Sequence, residues 1–306
     1  MTPNTAPPVA QRLAVRLAGG PLHDALLGQI PSKIKMLATP PKLVVVRVGE
    51  NSASAVYVRR KLEACARVGL VAEEVHVPAT EPEHAFHSLL HGLAHDAGVH
   101  AIIVQLPLPE GWDTAQALNL IPAAKDCDGL TEANTALRRA GSPQAVLPAT
   151  PLGVMRLLQH AGKPLHGTTV AVLGRGRVVG APLREMLTHA GATVLPIDRD
   201  TPHPQAVART ADVLVAAAGL PHHVNAAWVK AGSVVIDVGL SRTLHHGKTV
   251  LQGDVNPAVV EPVAGWLTPV PGGVGPMTVA SLLTNIVECA YAQEGLPKPV
   301  WTIPTL

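Results

Sequence analysis

Tyr57 and Lys61 are the first residues in this chain whose types and spacing suggest chemistry. If the segment 53–61 is helical, a spacing of four places both side chains on one face. An aromatic ring beside an amine can stack a flat ligand and exchange protons with it. The ring is notable because the 306 residues include only 2 Tyr, 1 Phe and 4 Trp. The pair alone also fits a half-buried ring under a solvated lysine, so both interpretations stay open at this point.

Gln105 and Asp128 are candidate partners for this pair. Residues 42–105 alternate as strand 42–48, helix 52–68, strand 71–77, helix 83–97 and strand 100–105. This order predicts a parallel sheet with right-handed crossovers. Gln105 ends the last of these strands, and Asp128 lies in the predicted loop Lys-Asp-Cys-Asp-Gly at 125–129. Parallel sheets bind ligands at the carboxyl ends of their strands, so Lys61, Gln105 and Asp128 are expected to line one site.

A second alternating series follows a Gly- and Pro-rich boundary at 141–148. It predicts helix 151–161, strand 168–173, helix 180–190 and strands at 192–197, 213–217, 233–238 and 265–267. The sequence Gly-Arg-Gly-Arg-Val-Val-Gly at 174–180 joins the first strand to its helix. This resembles a dinucleotide fingerprint in which the third glycine comes one residue late. The pattern favours a pyrophosphate bound at a helix N-terminus, with a tight glycine turn as the alternative.

The nicotinamide cofactor is ambiguous from the charges at the next strand end. Asp198 stands where an acid commonly binds the ribose hydroxyls of NAD, whereas Arg199, with Arg175 nearby, suits the 2′-phosphate of NADP. A solvated charged turn is the structural alternative. Farther along, the Gly- and Pro-rich loop 268–278 can bring its backbone close to a ligand, and a helix is predicted at 278–293.

Composition narrows the function classes. No apolar run approaches the ~20 residues of a membrane span, although 47% of the residues are hydrophobic. A net charge of +2, without a basic and aromatic tract, argues against a nucleic-acid surface. The 15 histidines have no Cys, Asp or Glu partners at ligand spacing, so no metal site is expected.

Cysteine usage and the N-terminus predict a cytoplasmic protein. Residues 1–8 are polar and proline-rich and lack the features of a signal peptide. An odd, scattered set of cysteines is typical of reduced thiols. The three are Cys65, Cys127 and Cys289.

Taken in order, the motifs resemble the bifunctional methylenetetrahydrofolate dehydrogenase/cyclohydrolase family over about residues 20–293. The matching segments are 54–61, VQLPLP at 104–109, KDCDG at 125–129, PATPLG at 148–153, GRGRVVG at 174–180, IDVG at 236–239, GDV at 253–255 and TPVPGGVGPMT at 268–278. The family oxidises 5,10-methylenetetrahydrofolate to the methenyl form with a nicotinamide cofactor and hydrolyses that product to 10-formyltetrahydrofolate. The resemblance therefore implies an α/β protein of two lobes, each a parallel-sheet unit, with a Rossmann-like second lobe and a cleft between them.

The resemblance also implies roles for particular residues. Lys61 is the central catalytic group, Gln105 contacts it, Tyr57 stacks on the folate and Asp128 holds the pterin. An ordinary lysine, with a pKa of ~10.4, is a poor base at neutral pH, and burial beside a cationic substrate would favour its neutral form. The expected substrate-binding residues are Ser54, Tyr57, Val104, Gln105, Leu106, Asp128, Pro271, Gly272 and Gly273. The expected cofactor-binding residues are Gly174, Arg175, Gly176, Val179, Gly180, Asp198, Arg199 and Leu240.

Three departures from the family pattern concern Ala149, Gly176 and Asp198, where the family often has Cys, Ser and His. The last two touch cofactor binding, and NADP is favoured over NAD. The expected domains are 1–147 plus 276–306 for folate and 148–275 for NAD(P). The family also implies a homodimer, a polyglutamylated folate substrate and a link to purine biosynthesis. Two alternatives are a dehydrogenase without cyclohydrolase activity and a non-catalytic folate- or nucleotide-binding module.

Overall fold

The computed structural model describes residues 13–245 and 248–306, and its strands form two parallel sheets and a hairpin. The smaller sheet contains, in spatial order, β3 (Val71–Val77), β2 (Lys42–Val48) and β4 (Ala101–Gln105). The larger sheet contains, in spatial order, β1 (Val15–Arg16), β11 (Trp266–Leu267), β8 (Val234–Asp237), β7 (Val213–Ala216), β5 (Thr169–Leu173) and β6 (Thr193–Ile197). The hairpin consists of β9 (Ser241–His245) and β10 (Lys248–Gln252).

Helices cover both sheets. In chain order they are α1 (Gly20–Leu27), α2 (Ile30–Ile34), α3 (Ser52–Arg67), α4 (Glu83–His95), α5 (Thr114–Asn119), α6 (Glu132–Arg139), α7 (Ala149–His160), α8 (Gly180–His189), α9 (Pro204–Ala208), α10 (Pro257–Val260) and α11 (Val274–Gln293). Short 3₁₀ helices span Ala123–Lys125 and Ala226–Trp228. The two-lobed α/β fold with parallel sheets, predicted from the sequence, is confirmed.

The smaller sheet is covered on both faces. Within β2, Val44 and Val46 pack in one cluster with Phe86 of α4, while Leu43 and Val45 pack in the other cluster with residues of α1, α3 and α11. Burial on both faces explains why β2 is a continuous apolar run instead of an alternating one. The observed bounds of β2 and β3 match the predicted strands.

The larger sheet contains elements that the sequence patterns missed. β1 has only two residues and pairs in parallel with β11, about 250 residues later. It therefore belongs to the larger sheet, although it falls in the range 1–147 that was assigned to the first domain. The hairpin β9–β10 was also missed, because several of its apolar side chains are exposed and give no buried periodicity. Leu244, for example, is 80% exposed.

The last helix, α11, joins the two lobes. It packs against α7, α1, α2 and α3, and one continuous core cluster runs from the smaller sheet to the larger one through it. In its middle, Asn285 donates hydrogen bonds through Nδ2 to the carbonyls of Cys127 and Leu147, at 2.9 and 2.8 Å. The helix therefore supports the loop that precedes Asp128.

Two further observations concern sequence expectations. Each of the three cysteines is a buried free thiol. Among the residues that the structure describes, no helix has both the length and the apolar character needed to cross a membrane.

Candidate active site

Lys61 and Gln105 meet at the carboxyl end of the smaller sheet. Lys61 lies in the third turn of α3, and its Nζ donates a hydrogen bond to Oε1 of Gln105 at 3.2 Å. Gln105 is the last residue of β4, and its Nε2 donates to the carbonyl of Leu106 at 2.9 Å. Because the amide nitrogen is held by the backbone, the amide oxygen is directed at the lysine. The predicted contact between Lys61 and Gln105 is therefore present in the structure.

Helix α3 positions the aromatic ring beside this pair. Asn51 caps its N-terminus by accepting a hydrogen bond at Oδ1 from the backbone N–H of Ser54, at 3.1 Å. Ser54 is buried in the first turn, and Tyr57 follows one turn before Lys61. The ring of Tyr57 is 42% exposed. An exposed ring on the same helical face as the amine leaves a surface on which a planar ligand can stack.

Asp128 belongs to the same electrostatic environment. Burial raises the pKa of its carboxyl above the usual value; the Lys61 charge acts against that rise and Asp126 adds to it. Asp126 itself accepts hydrogen bonds at Oδ2 from the N–H of Thr131 and the side chain of Asn134, both at 2.9 Å. Asp126 thus stabilises the loop through these hydrogen bonds, whereas the Asp128 carboxyl lies in the electrostatic field of Lys61.

The loop before α11 lies against the N-terminal part of the chain. Gly272 has a φ of +108°, which favours glycine, and its carbonyl accepts a hydrogen bond from the N–H of Gly19 at 2.8 Å. A Cβ at Gly273 would lie 2.7 Å from the carbonyl oxygen of Pro269. Glycine is therefore required at both predicted substrate-binding positions, and the backbone there is free of side chains. Pro271, which directly precedes these two glycines in the loop after β11, is exposed.

Glycines also shape the turn between β5 and α8. Gly174 has a φ of +110°, and a Cβ there would lie 2.2 Å from the carbonyl oxygen of Ala217. A Cβ at Gly180, the first residue of α8, would lie 2.4 Å from the carbonyl oxygen of Gly174. At Gly176 a Cβ would meet no atom within 4 Å. Glycines at these positions let the backbone pack closely at a helix N-terminus, which is the form of turn that binds a pyrophosphate.

The carbonyls beneath this turn are held by Arg184, which sequence reasoning missed. Its Nη2 donates to the carbonyls of Gly174 at 2.7 Å, Val172 at 3.2 Å and Ile197 at 3.2 Å. Burial lowers the pKa of its guanidinium; Asp198 opposes this shift and Arg175 adds to it. The only sequence signal is a cation one turn into α8, which is not specific enough to predict such a role.

The charged turn after β6 is arranged around Arg175. Its Nη1 lies 3.9 Å from Oδ2 of Asp198 and 3.5 Å from Oδ2 of Asp200. Asp198 also accepts a hydrogen bond from the N–H of Asp200 at 3.1 Å. Arg199 is exposed and forms no hydrogen bond or ion pair with any residue that the structure describes. Arg175, not Arg199, is therefore the cation beside Asp198.

Two buried aspartates lie near the ends of β7 and β8, in the segments IDVG and GDV. Asp237 accepts hydrogen bonds from the N–H groups of Gly239, Asp254 and Val255, at 3.0, 2.9 and 3.0 Å. Burial raises its pKa to about 6, while the hydrogen bonds from Val255 and Asp254 oppose that rise.

The second of these carboxylates, Asp254, accepts from the N–H groups of Ala218 and Gly219, at 2.6 and 3.0 Å. The pair fixes the backbone just before Leu240, which is half exposed.

The remaining predicted residues take ordinary positions. Val104 is buried in β4, Leu106 follows that strand, and Val179 precedes α8. Within the described ranges, no group of three or more His, Cys, Asp and Glu side chains is arranged to hold a metal ion. The predicted residues thus form two groups in the structure, one around Lys61 and one around the glycine turn 174–180.

Comparisons with known proteins match both halves of the chain. The family described as tetrahydrofolate dehydrogenase/cyclohydrolase matches with its catalytic domain over residues 17–128 and with its NAD(P)-binding domain over residues 148–294. The bifunctional protein FolD of a Synechococcus species is 42% identical over 290 residues, covering 95% of this chain and 98% of that protein. The bifunctional protein FolD of Zymomonas mobilis is 43% identical, covering 82% and 86%.

Solved structures of FolD enzymes also superpose on this chain. The bifunctional FolD enzyme of Campylobacter jejuni superposes with a TM-score of 0.87 at 36% identity, covering 91% of this chain and 99% of that one. The FolD of Trypanosoma brucei, complexed with NADP and an inhibitor, superposes with a TM-score of 0.86 at 33% identity, covering 92% and 99%.

Proposed function

The chain belongs to the tetrahydrofolate dehydrogenase/cyclohydrolase family, and from this premise we propose how its own residues carry the two reactions. It oxidises 5,10-methylenetetrahydrofolate to 5,10-methenyltetrahydrofolate with NAD(P)⁺, and it hydrolyses that product to 10-formyltetrahydrofolate. A nicotinamide cofactor held at the turn of Gly174 and Gly180 would supply the hydride acceptor of the first step. The observation that supports our assignment of residues is the hydrogen bond from Lys61 to Gln105, beside the carboxylate of Asp128.

We assign the proton transfers of hydrolysis to Nζ of Lys61. Water adds to the bridging carbon of the methenyl cation, the bond from that carbon to N5 breaks, and N5 gains a proton. An amine at this carbon can take one proton from the attacking water and deliver it to N5 as the bond from the carbon to N5 breaks. The remaining hydroxyl proton is released to solvent as the formyl C=O forms, so the cation and water give 10-formyltetrahydrofolate and one proton. Gln105 supports this role because its oxygen fixes the amine, while its own nitrogen is held by Leu106.

Asp128 and Tyr57 are assigned to substrate binding. A carboxylate opposite the amino and ring N–H groups of a pterin gives a paired, directional contact. The half-exposed ring of Tyr57 offers a stacking surface one helical turn from Lys61. The buried Ser54, the strand end Val104–Leu106 and the loop residues Pro271, Gly272 and Gly273 complete the proposed folate site.

We propose NADP as the preferred cofactor, with NAD as the alternative. The backbone cradle of Gly174 and Gly180 fits a pyrophosphate with either cofactor. Arg175 lies between two carboxylates, so it offsets the repulsion that Asp198 would exert on a 2′-phosphate. The Trypanosoma brucei relative was solved with NADP. Gly176, Val179, Arg199 and Leu240 line the rest of the proposed cofactor site.

The domain division is proposed as 1–147 plus 276–306 for folate and 148–275 for NAD(P), with β1 contributing to the second sheet. The packing of α11 on α1, α2 and α3 supports its assignment to the first domain. We also propose a cytoplasmic homodimer that acts on polyglutamylated folate and supplies purine biosynthesis. The three buried free thiols support a reducing compartment. A net charge of +2 supports our expectation that nucleic acid is not a partner.

Separate spectrophotometric assays of the two reactions test this proposal. Lys61→Met removes the amine while keeping a side chain of similar length. We expect methenyl hydrolysis to fall by about 10²-fold or more, the usual size of general acid–base effects. Lys35→Met, an exposed lysine away from the cleft, is the matched control. Hydrolysis at the control rate in a folded Lys61→Met protein would overturn the role of Lys61. Running the oxidation with NADP and NAD in parallel tests the cofactor.

A further inference from the structure

A cavity of about 630 Å³ lies away from the catalytic cleft. It is formed by α7, by the loop 162–166, by Ala190 after α8 and by the C-terminal segment around Trp301. That loop precedes β5 and Ala190 follows α8, so the cavity is at the amino end of β5. The glycine turn follows the carboxyl end of the same strand, ~17 Å away for five residues at 3.3 Å each. The cavity also shares no lining residue with those assigned to the folate and cofactor sites, so it lies outside both.

Arg156 gives the cavity a cation without an acidic partner. It is a buried residue of α7, and its Nη1 donates to the hydroxyls of Ser281 at 3.0 Å and Thr284 at 2.9 Å. No carboxylate among the described residues lies within ion-pair distance of it. Burial lowers its pKa to about 10, while the Glu288 charge opposes that shift, so Arg156 is charged at neutral pH.

Its remaining guanidinium donors have no hydrogen-bond acceptor among the described residues. They are also not among the polar atoms sealed off from solvent. Since Arg156 lines the cavity, these donors reach solvent there.

Two other basic side chains, Lys163 and His166, line the same cavity, and no described Asp or Glu does. The acids nearby are already paired. Glu288 lies 3.4 Å from Lys298 and accepts a hydrogen bond from Trp301 at 2.9 Å. Asp212, farther along the same edge, lies 2.7 Å from Lys230. The Glu288 charge opposes the lowering of the Arg156 pKa by burial. The hydrogen bond from Lys230 lowers the pKa of Asp212, and the Lys163 charge adds to that shift, so these acids act on the cavity cations through space. No carboxylate of the described residues, however, forms an ion pair with the basic side chains of the cavity.

The other walls are apolar and fixed in place. They are formed by Leu152, Met155, Leu165, Trp301 and Ile303. The C-terminal segment is held by the side chain of Gln29, which bonds both the carbonyl and the N–H of Thr302 at 2.9 and 2.8 Å. Farther on, the N–H of Leu306 donates to the carbonyl of His160 at 2.9 Å. The wall that carries Trp301 is thus anchored on two sides.

We propose that this cavity binds a small organic anion, in which a carboxylate or phosphate group is carried on a flat, apolar body. The oxyanion pairs with Arg156 and Lys163, and the apolar body packs against Trp301 and its aliphatic neighbours. The size is that of a small-molecule site, and apolar walls with a few convergent polar groups are the usual composition of such sites. This ligand is additional to folate and NAD(P), so the site is independent of the roles assigned to the cleft.

Calorimetric titration of the full-length enzyme saturated with NADP tests the proposal. The probes are 1-naphthoate, 1-naphthyl phosphate and the neutral 1-naphthamide. We expect at least one anion to bind about tenfold or more tightly than the amide, and the comparison of the two anions identifies the oxyanion. Lys163→Glu should weaken binding of that anion by about tenfold or more, whereas Lys35→Glu, the same charge change at an exposed site outside the cavity, should leave it unchanged.

Three results would overturn the proposal: no binding of either anion up to millimolar concentration, equal binding of the amide, or equal affinity of Lys163→Glu and the control. Displacement of the anion by NADP or by folate would also overturn it, because the probe would then occupy the cleft. Thermal unfolding checks that Lys163→Glu is folded. If it is not, His166→Glu, an exposed residue on the same wall, replaces it in the same titration.

Discussion

Gly176→Ser tests the glycine turn where it departs from the family pattern. An added Cβ there meets no atom within 4 Å, and Gly176 is exposed, so the substitution should not disturb the fold. A hydroxyl at this position can donate a hydrogen bond to a cofactor phosphate. Hydrogen bonds to charged groups contribute about 1.5–3 kcal/mol, and exposure favours the lower end. We therefore expect the Kd and KM for NADP to fall by about tenfold, since 1.4 kcal/mol corresponds to that factor.

Gly180→Ala, in the same turn, should have the opposite effect. Its Cβ would lie 2.4 Å from the carbonyl oxygen of Gly174 and 2.8 Å from the carbonyl carbon, whereas van der Waals contacts lie at 3.4–4 Å. The turn would have to move by ~1 Å, and the hydrogen bond from Arg184 to the same carbonyl would be disturbed. We expect NADP affinity to fall by about tenfold or more and the free energy of unfolding to fall by about 1–3 kcal/mol.

Calorimetric titration with NADP and urea unfolding measure both effects on each variant. The reasoning fails if Gly176→Ser binds NADP no more tightly than the wild type while it remains folded. It also fails if Gly180→Ala retains wild-type affinity, because the close backbone approach would then not shape the cofactor site. Initial rates with NAD distinguish a pyrophosphate contact, which improves both cofactors, from a 2′-phosphate contact, which improves NADP alone.

Two further predictions concern buried polar groups. Gln105→Leu removes the acceptor that fixes Nζ of Lys61 at 3.2 Å. In a rate assay, kcat for methenyl hydrolysis should therefore fall by about tenfold or more, while the affinity for NADP stays the same. An unchanged kcat would show that the amide does not orient the lysine. Asp237 has a pKa raised to about 6, so its contribution to stability is present below ~4 and is lost as the pH rises through 6. Relative to Asp237→Asn, the wild-type free energy of unfolding should fall by up to ~3 kcal/mol between pH 4 and pH 7 in urea titrations, and parallel pH profiles would contradict this.

Most of the regular fold could be predicted from the sequence, because its strands are apolar and lie between helices. The bounds of β2 and β3 were predicted to the residue, and the helix predicted over 52–68 is observed as Ser52–Arg67, just before Gly69 with its φ of +84°. β1 and the hairpin β9–β10 were missed for different reasons. The first depends on a distant pairing partner, and the second exposes the apolar side chains that periodicity would use.

Some features of the candidate site could likewise be predicted from the sequence, and others could not. The alternation of strands and helices predicted that Lys61 and Gln105 line one site, and the family resemblance implied the contact between them that the structure contains. The partner of Asp198 was less predictable, since Arg199 follows it directly in sequence whereas Arg175 lies 23 residues earlier. Which cation turns toward the carboxylate depends on the local backbone. The role of Arg184 could not be predicted, because its hydrogen-bond acceptors are main-chain carbonyls, and every residue type has one.

The position of α11 has a consequence for how the enzyme is made. This helix follows the loop of Gly272 and Gly273 and holds the Cys127 carbonyl through Asn285, although in chain order it comes after all the strands of the cofactor domain. A nascent chain that ends before residue 274 carries Lys61, Gln105 and Asp128 but lacks the Asn285 side chain that holds the Cys127 carbonyl. The folate site is therefore completed only after the cofactor domain has been synthesised, and until then Lys61 lacks part of its final set of neighbours.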